Sequence, residues 1–255
     1  NSFPDDMDGY LAVGKKLKEY GLPIGCTLGH TYGDAPSNTY PLLWCFGGQE
    51  VDENQRVSID SKETRMSMEY FKELWNEACD PGGLAYDDGT NNRAFIAQRI
   101  GCTINAPSIS FYLRNNRSKV PAGLPDNTSH GIQPKGPGGR YNVVQPQHYS
   151  IFKSSKNIDA CKDFLRYMIR PENYTHYIQK CEGFYGGVTP RWEKHKVFDL
   201  PVLSMLPPVA RYGRNFGHPG PNDAKAAEVL NKYIITDLYA LLARGDSINS
   251  VIKWA

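Results

Sequence analysis

The sequence predicts a mixed protein of helices and short strands, and three observations support this. Apolar residues recur near the 3.6-residue helical period in several segments of the 255-residue chain. Short apolar runs that end at glycine or proline lie between those segments, and such runs are typical of buried strands. Residues 121–146 contain five prolines and five glycines, which predicts an extended connection rather than a packed element.

Helices and strands are predicted to alternate in the N-terminal half. The first helix spans residues 5–20, with Asp5 as its cap, and Gly21 and Pro23 end it. The remaining elements follow in order: a strand at 24–28, a polar loop at 29–38, an apolar run at 40–46, a helix at 61–79 that Ser61 caps, a short helix at 91–98 and a buried strand at 100–105.

The C-terminal half is predicted to be mostly helical. We expect regular structure at 149–153, a helix over 157–169, and another that begins at Pro171, because a first helical turn needs no N–H from its first residue. The inward side of the helix at 157–169 is expected to consist of Cys161, Phe164, Leu165 and Met168. The last quarter is expected to form a long helix from Asp223 to about residue 243 and a final helix that Ser247 caps.

Composition excludes two broad classes. The net charge is +2 and no run of five Lys or Arg occurs, which argues against general nucleic-acid binding. No apolar stretch reaches the roughly 20 residues that a membrane-spanning helix needs. Charge is uneven, since residues 1–60 carry a net −5 and residues 111–196 a net +8. Two differently charged surfaces explain this, and so do two lobes that face each other across a polar crevice.

The six cysteines predict neither a metal site nor a disulfide scaffold. They show no CxxC and no zinc-type spacing with histidine, and they are sparse for a chain of this length. We expect most of them to be small buried apolar groups. If one pair is bridged, Cys161 and Cys181 are the pair that a helical hairpin would bring together. No cofactor is predicted.

A search for catalytic patterns favours no enzyme class. The sequence contains no GxSxG, HExxH, Walker loop or GxGxxG at a strand-to-helix turn. The adjacent carboxylates Asp87 and Asp88 are suited to acid–base chemistry, yet their setting before Asn91 is also typical of a turn and a helix start. A carbohydrate-processing hydrolase that uses Asp34, Asp87 or Asp88 is therefore the rival interpretation.

Recognition of a neutral polyhydroxylated ligand fits the residues better. Such a ligand needs aromatic faces for its C–H surfaces and planar polar side chains for its hydroxyls. Both kinds occur on turn-rich segments, although core packing is the alternative for each aromatic side chain. The candidate contacts are Tyr32, Asp34, Trp44, Asn105, His148, Tyr185 and His218.

An ordered set of stretches, covering nearly the whole chain, resembles a known family. The stretches are the helix from Pro4 to Gly21-Leu22-Pro23, a strand-and-turn at 41–44, 46–48 and 51–53, Ala94-Phe95 leading to 103–108, the helix start at 155–157 with 171–173, Pro190-Arg191, and 217–221. In this order they resemble the family 1 extracellular solute-binding proteins, the maltose-binding-like receptors of bacterial ABC importers for sugars and polyols. Ser108 departs from the pattern, because some members place tryptophan there against the sugar.

The resemblance implies an α/β fold of the type II periplasmic-binding-protein kind, with two lobes, a hinge and an incomplete N-terminal lobe. Residues 1–142 would form the first part of the C-terminal-type lobe, residues 143–195 a returning segment of the N-terminal-type lobe, and residues 196–255 the closing helices. Ligand would bind between lobes that close around it.

The resemblance also implies partners and a location. The expected ligand is a sugar or polyol, bound without catalysis, and the expected protein partners are the membrane subunits of an ABC permease. The location is periplasmic or extracellular, with a membrane tether through an absent N-terminus as an option. The missing lobe segment is expected either to come from a separate chain or to have been cut from this one. An interaction module that has lost its ligand is the third interpretation.

Overall fold

The structure is a computed structural model that describes residues 3–186 and 189–255. Helices dominate these ranges, and each of the four strands within them is two residues long. The elements are α1 Met7–Glu19, β1 Ile24–Gly25, α2 Asp34–Cys45, α3 Lys62–Ala78, α4 Thr90–Ile96, β2 Cys102–Thr103, α5 Ser108–Asn115, β3 Asn142–Val143, α6 Ile158–Met168, α7 Pro171–Cys181, α8 Leu206–Val209, β4 Gly213–Arg214, α9 Ala224–Asn231, α10 Ile234–Ala243 and α11 Ile248–Trp254.

Capping side chains fix several helix starts close to the predicted positions. Ser61 accepts a hydrogen bond from the Thr64 amide at 3.1 Å, as predicted for α3. Asp223 caps α9 and Ser247 caps α11 in the same way. The cap of α1 is Asp6 rather than Asp5, since the Asp6 carboxylate accepts the Gly9 amide at 2.9 Å.

The segment 34–45 corrects the sequence prediction of a loop followed by a strand-and-turn. It forms one helix, α2, in which every residue except Ser37 is buried. Its polar first half and its apolar second half are both buried, so no amphipathic period marks it in the sequence. Pro36 lies in its first turn, where the missing N–H costs nothing, whereas Pro41 lies inside the helix.

Two parallel strand pairs replace the longer strands that were predicted. In the first pair Ile24 lies opposite Cys102, and in the second Asn142 lies opposite Gly213. The predicted strands at 24–28 and 100–105 therefore exist only in part. Residues 149–153 form no regular element, which corrects the expectation of structure there.

The predicted long helix to residue 243 is two helices. Tyr233 lies between α9 and α10 in the left-handed region, with φ of 56°. A residue in that conformation interrupts the helical hydrogen-bond ladder, so the chain turns before α10 begins.

The apolar core lies where α2, α3 and α10 meet. Large side chains such as Trp44, Met68 and Tyr239 are buried there, and each contributes about 1.5–3 kcal/mol of hydrophobic stabilisation. A separate small cluster contains Tyr174, Ile178 and Trp192. These two clusters lie in different parts of the chain, since the large one draws on residues 7–79 and 216–252.

Helix α6 corrects the prediction that its apolar side faces inward. No residue of α6 is buried, and Phe164 is 59% exposed. Cys161, Leu165 and Met168 are only partly buried. The periodicity identified the apolar side correctly, but α7, which contacts α6, leaves that side partly exposed.

The cysteines divide into buried and partly buried groups. Cys26, Cys45 and Cys79 are buried, as expected for small apolar groups, whereas Cys102, Cys161 and Cys181 are partly accessible. All six cysteines are free thiols in the structure, so the pairing considered for Cys161 and Cys181 is not formed in it.

Candidate functional site

Three polar side chains form a ring where β2 leads into α5. The side-chain Nδ2 of Asn105 donates to Asn92 Oδ1. Ser108 Oγ donates to Asn105 Oδ1 at 3.1 Å, and Asn92 Nδ2 donates to Ser108 Oγ at 3.3 Å. We call Asn92, Asn105 and Ser108 the amide cluster. Asn105 follows β2, Ser108 opens α5, and Asn92 lies in the first turn of α4, so three elements hold the cluster together.

A groove opens beside the amide cluster, between α4 and α5. Its volume is about 570 Å³, within the range of small-molecule sites. Asn92 and Ser108 belong both to the cluster and to the groove wall, so their polar atoms border an apolar surface. The lining residues are Asn92, Arg93, Ile96, Ala97, Ser108, Ile109, Phe111 and Tyr112.

Asp88 holds the loop that carries Tyr32. Its Oδ1 accepts the Thr31 hydroxyl at 2.6 Å and the Asp34 amide at 2.8 Å. Its Oδ2 accepts the Gly33 amide at 3.3 Å. Tyr32 lies between these anchored residues with its ring exposed. Asp88 therefore fixes the loop before and after Tyr32, whose ring stays accessible.

Asp34 is linked to the amide cluster through α4. Its Oδ2 accepts Asn91 Nδ2 at 2.8 Å, and Asn91 directly precedes Asn92. Burial, with the negative charges of Asp88 and Asp87 adding to it, raises the pKa of Asp34 to about 6, although the Asn91 hydrogen bond acts in the opposite direction.

The carboxylates of the hydrolase interpretation serve as local anchors. Asp87 accepts the Thr90 hydroxyl and the Gly89 and Thr90 amides, and these bonds lower the pKa of Asp87. Asp88 holds the Tyr32 loop, and Asp34 is buried against Asn91. A general acid with an opposed nucleophile needs two carboxyls that both face a substrate. The observed hydrogen bonds give all three carboxyls structural partners instead.

Trp44 and His218 lie in an aromatic cluster with Tyr40, separate from the amide cluster. Trp44 is 2% exposed, and its ring is 6.0 Å from that of His218. Asp34 and Trp44 occupy opposite ends of α2, and ten residues of helix rise about 15 Å. Burial, together with Arg214, lowers the pKa of His218, so this imidazole is neutral at pH 7.

Tyr185 and His148 follow the groove residues in the chain. Tyr185 is partly exposed, and its ring stacks on that of Tyr177 at 6.3 Å. Its neighbour Phe184 contacts Phe111, a groove residue, with 5.5 Å between ring centres. His148 is exposed in a segment without regular structure. The structure thus links Tyr185 to the groove through Phe184, whereas it does not link His148.

Sequence reasoning missed Asn91 and Asn92 as site residues. Their adjacent amides at the start of a short helix were the available signal, but that pattern is also typical of a helix cap. Asn92 becomes part of the site only because β2 returns Asn105 to it.

The helices of the described ranges include none that combines the length and the apolarity needed to cross a membrane. Those ranges also contain no group of three or more His, Cys, Asp or Glu side chains arranged to hold a metal ion.

Comparison with known proteins gives one family and several solved structures. A family model described as bacterial extracellular solute-binding protein matches residues 1–197. Comparison with curated proteins gave no match. A maltose-bound MalE3 of T. maritima superposes with a TM-score of 0.72 and 19% identity, covering 99% of this chain and 64% of that one.

Two further structures are similar at comparable levels. A solute-binding protein of an ABC transporter from Agrobacterium radiobacter K84, in complex with ribitol, has a TM-score of 0.68 and 16% identity, and 99% of this chain matches 63% of it. A sugar transporter structure from Arthrobacter chlorophenolicus A6 with bound laminaribiose has a TM-score of 0.65 and 15% identity, and 98% of this chain matches 63% of it. The chain therefore spans a little under two thirds of these structures, and the likeness establishes the fold.

Proposed function

Because this chain belongs to the bacterial extracellular solute-binding proteins, we propose that it binds a carbohydrate or polyol at the amide cluster and the adjoining groove, without altering it. The predicted fold class, an α/β fold of the periplasmic-binding-protein kind, is confirmed by the structural likenesses. The family name also indicates a location outside the cytoplasmic membrane. The membrane tether stays a prediction.

The amide cluster is the observation that carries the proposal. A side-chain amide offers two N–H donors and a carbonyl acceptor in one plane, which suits adjacent hydroxyls of a sugar or polyol. Asn92 and Asn105 supply two such groups, and the Ser108 hydroxyl adds a third partner. These groups hydrogen-bond to one another in the structure, so binding would exchange their mutual hydrogen bonds for bonds to the ligand.

The other predicted contacts receive different roles in the proposal. Tyr32 presents an exposed ring on the loop that Asp88 anchors, and Asp34 braces that loop from its buried side. Tyr185 and His148 extend the site beyond Phe184. His218 lies beside Trp44, away from the amide cluster, so its contact with ligand stays a prediction that this site does not use. We give Trp44 a packing role because its indole is buried.

We propose that the chain divides into two lobes, each built around one of the two apolar clusters. The large core of residues 7–79 and 216–252 is the basis of one lobe, and the cluster around Tyr174 is the basis of the second, within 143–195. Asn115 Nδ2 donates to Glu182 Oε2 at 3.0 Å and Arg114 donates to the Glu182 carbonyl at 2.6 Å, so these polar contacts cross between the two. Movement at such a polar contact would close the groove around ligand.

The exposed apolar side of α6 supports a protein partner. Phe152, Phe164, Tyr167 and Ile169 are all exposed on or beside α6. Large apolar side chains that are exposed along one segment are typical of a protein contact. We propose that a complementary protein segment, from a separate chain, covers it, and that the closed receptor then delivers its cargo to an ABC permease.

Calorimetric titration tests the binding proposal. Maltose, laminaribiose and ribitol are the first probes, because the similar structures contain them. Asn105→Ala removes two hydrogen bonds of the cluster and should weaken binding by about tenfold, near 1.4 kcal/mol. Asn54→Ala, at an exposed loop position, is the matched control and should bind as the wild type does. Equal affinities for both variants would remove the amide cluster from the site.

A rate assay separates the receptor from the hydrolase interpretation. Aryl glycosides release a coloured phenol only if the bond is cleaved, and the receptor should bind sugar without any release. Turnover that Asp34→Asn abolishes would overturn the proposal in favour of the hydrolase.

A further inference from the structure

We propose that Cys26 and Cys79 are joined by a disulfide bond in the exported protein. Their sulfur atoms are 2.8 Å apart, well inside the roughly 3.5–4.0 Å at which unbonded heavy atoms attract best. Both residues are buried, Cys26 at 5% and Cys79 at 1% exposure. This inference goes beyond the proposed function, and no step of it depends on the ligand.

The backbone holds the two thiols together from both sides. Cys26 follows β1, and Cys79 is the extended residue that ends α3. Ile24 and Cys79 form a parallel bridge, in which the Asp80 amide donates to the Ile24 carbonyl at 2.8 Å.

A second backbone contact lies just beyond the pair. The Leu28 amide donates to the Gly83 carbonyl at 3.0 Å. Gly83 lies so close that a Cβ there would come within 2.2 Å of the Cys26 carbonyl oxygen. The two segments are therefore fixed on either side of the thiol pair, and side-chain adjustment of less than about 1 Å brings the sulfurs to the disulfide distance near 2.05 Å.

Cys102 is the competing partner. It lies opposite Ile24 in the β1–β2 pair, so it is close to Cys26 in the fold. The Cys102 sulfur lies 3.9 Å from the Tyr10 hydroxyl, whereas the sulfurs of Cys26 and Cys79 are only 2.8 Å from each other. The geometry therefore selects Cys26–Cys79 and leaves Cys102 as a thiol.

The chemistry is an exchange with a disulfide oxidant, protein-bound or small. The Cys26 thiolate attacks one sulfur of the oxidant, forming a mixed disulfide and releasing one thiolate. The Cys79 thiolate then attacks the Cys26 sulfur and releases the second. Cys26 and Cys79 lose two protons and two electrons together, and the oxidant leaves as two thiols. The space outside the cytoplasmic membrane sustains such oxidation.

Burial determines when the bond forms. It raises the pKa of Cys79 well above the usual thiol range, so the folded protein contains very little of the reactive thiolate. Oxidation therefore takes place while the chain folds, and afterwards the same burial shields the bond from soluble reductants.

Thiol counting with peptide mapping tests the inference. The protein is exported to an oxidising compartment, unfolded at neutral pH in denaturant that already contains excess alkylating reagent, and weighed before and after reduction. We expect four free thiols before reduction and six after it. Trypsin should yield residues 19–56 linked to residues 73–93. The first peptide also contains Cys45. A second cleavage before Asp34 places Cys26 and Cys45 in different peptides, so the residue that is bonded to Cys79 can be identified.

Two results would overturn the inference. One is six free thiols in the exported wild-type protein. The other is a bond from Cys102 to either partner, read from the peptide 100–114. Neither result bears on sugar binding, which calorimetry measures separately.

Stability gives an independent readout with a matched control. Because the fold shields the bond, the wild type is reduced in denaturant and refolded with reductant present, and this treatment should lower its thermal unfolding midpoint by about 5–15 °C. The Cys161→Ala, Cys181→Ala double variant also lacks two thiols, and it should retain this sensitivity to reductant. The Cys26→Ala, Cys79→Ala double variant should lose it. A wild-type midpoint that reductant leaves unchanged would contradict the bond.

Discussion

Glu50 is the buried carboxyl whose titration bears most directly on stability. Its side chain is 5% exposed, and neither carboxylate oxygen has a hydrogen-bond partner among the described residues. Burial raises the pKa of Glu50 from 4.5 to about 7. The Gly217 amide and the Tyr40 hydroxyl lower this pKa only in part, because neither makes a hydrogen bond of ordinary geometry to the carboxylate.

The size and sign of the effect follow from this pKa. The change from 4.5 to about 7 corresponds to about 3 kcal/mol, at 1.36 kcal/mol for each pKa unit. Between these two values the folded protein binds more protons than the unfolded chain, so the free energy of unfolding falls as the pH rises. The contribution of Glu50 is complete below pH 4.5 and is lost by the time the pH passes about 7.

Urea unfolding at several pH values measures this contribution. Glu50→Gln resembles the protonated side chain at every pH, so the variant and the wild type should be similarly stable near pH 4.5. At pH 8 the variant should be more stable by about 3 kcal/mol. Glu69→Gln, at an exposed position of α3, is the control and should show no such divergence. The reasoning would be refuted if the free energy of unfolding of Glu50→Gln differed from that of the wild type by the same amount at pH 4.5 and at pH 8.

Three further substitutions test the fold. Ser61→Ala removes the α3 cap and should cost about 1 kcal/mol in urea unfolding, so an unchanged midpoint would count against the cap. Leu238→Ala opens a cavity in the fully buried part of α10 and should cost about 2–5 kcal/mol, whereas a cost below 1 kcal/mol would contradict that packing. Phe164→Ser should leave stability within about 0.5 kcal/mol and reduce binding of a hydrophobic dye, and marked destabilisation would show that the α6 surface is covered.

Sequence reasoning located correctly the helices that have a polar side and an apolar side. Helix α3 has Ser61 as its cap and a mixed polar and apolar surface, so both its start and its buried side could be predicted. Helix α2 has neither signal, because Gly33 provides no capping side chain and nearly every residue is buried. Its environment, rather than its own periodicity, makes it a helix.

Part of the candidate site could be found in the same way. Asn105 was recognised because it ends a predicted strand, and Tyr32 because it lies in a polar loop. Asn92 was not, since its contact with Asn105 spans 13 residues and depends on the return of the chain through β2. Trp44 was predicted as a ligand contact but is buried, because composition alone does not distinguish an aromatic side chain that stacks on a ligand from one that packs in the core.

One titration tests the central claim most directly. The whole chain is titrated with laminaribiose, maltose and ribitol in a calorimeter, and the contents of the cell are then separated by chromatography. We predict a saturable heat for at least one of these ligands, with that ligand recovered unchanged. The absence of heat with all three, or the appearance of cleavage products, would contradict the account of this protein as a receptor that binds a polyhydroxylated solute.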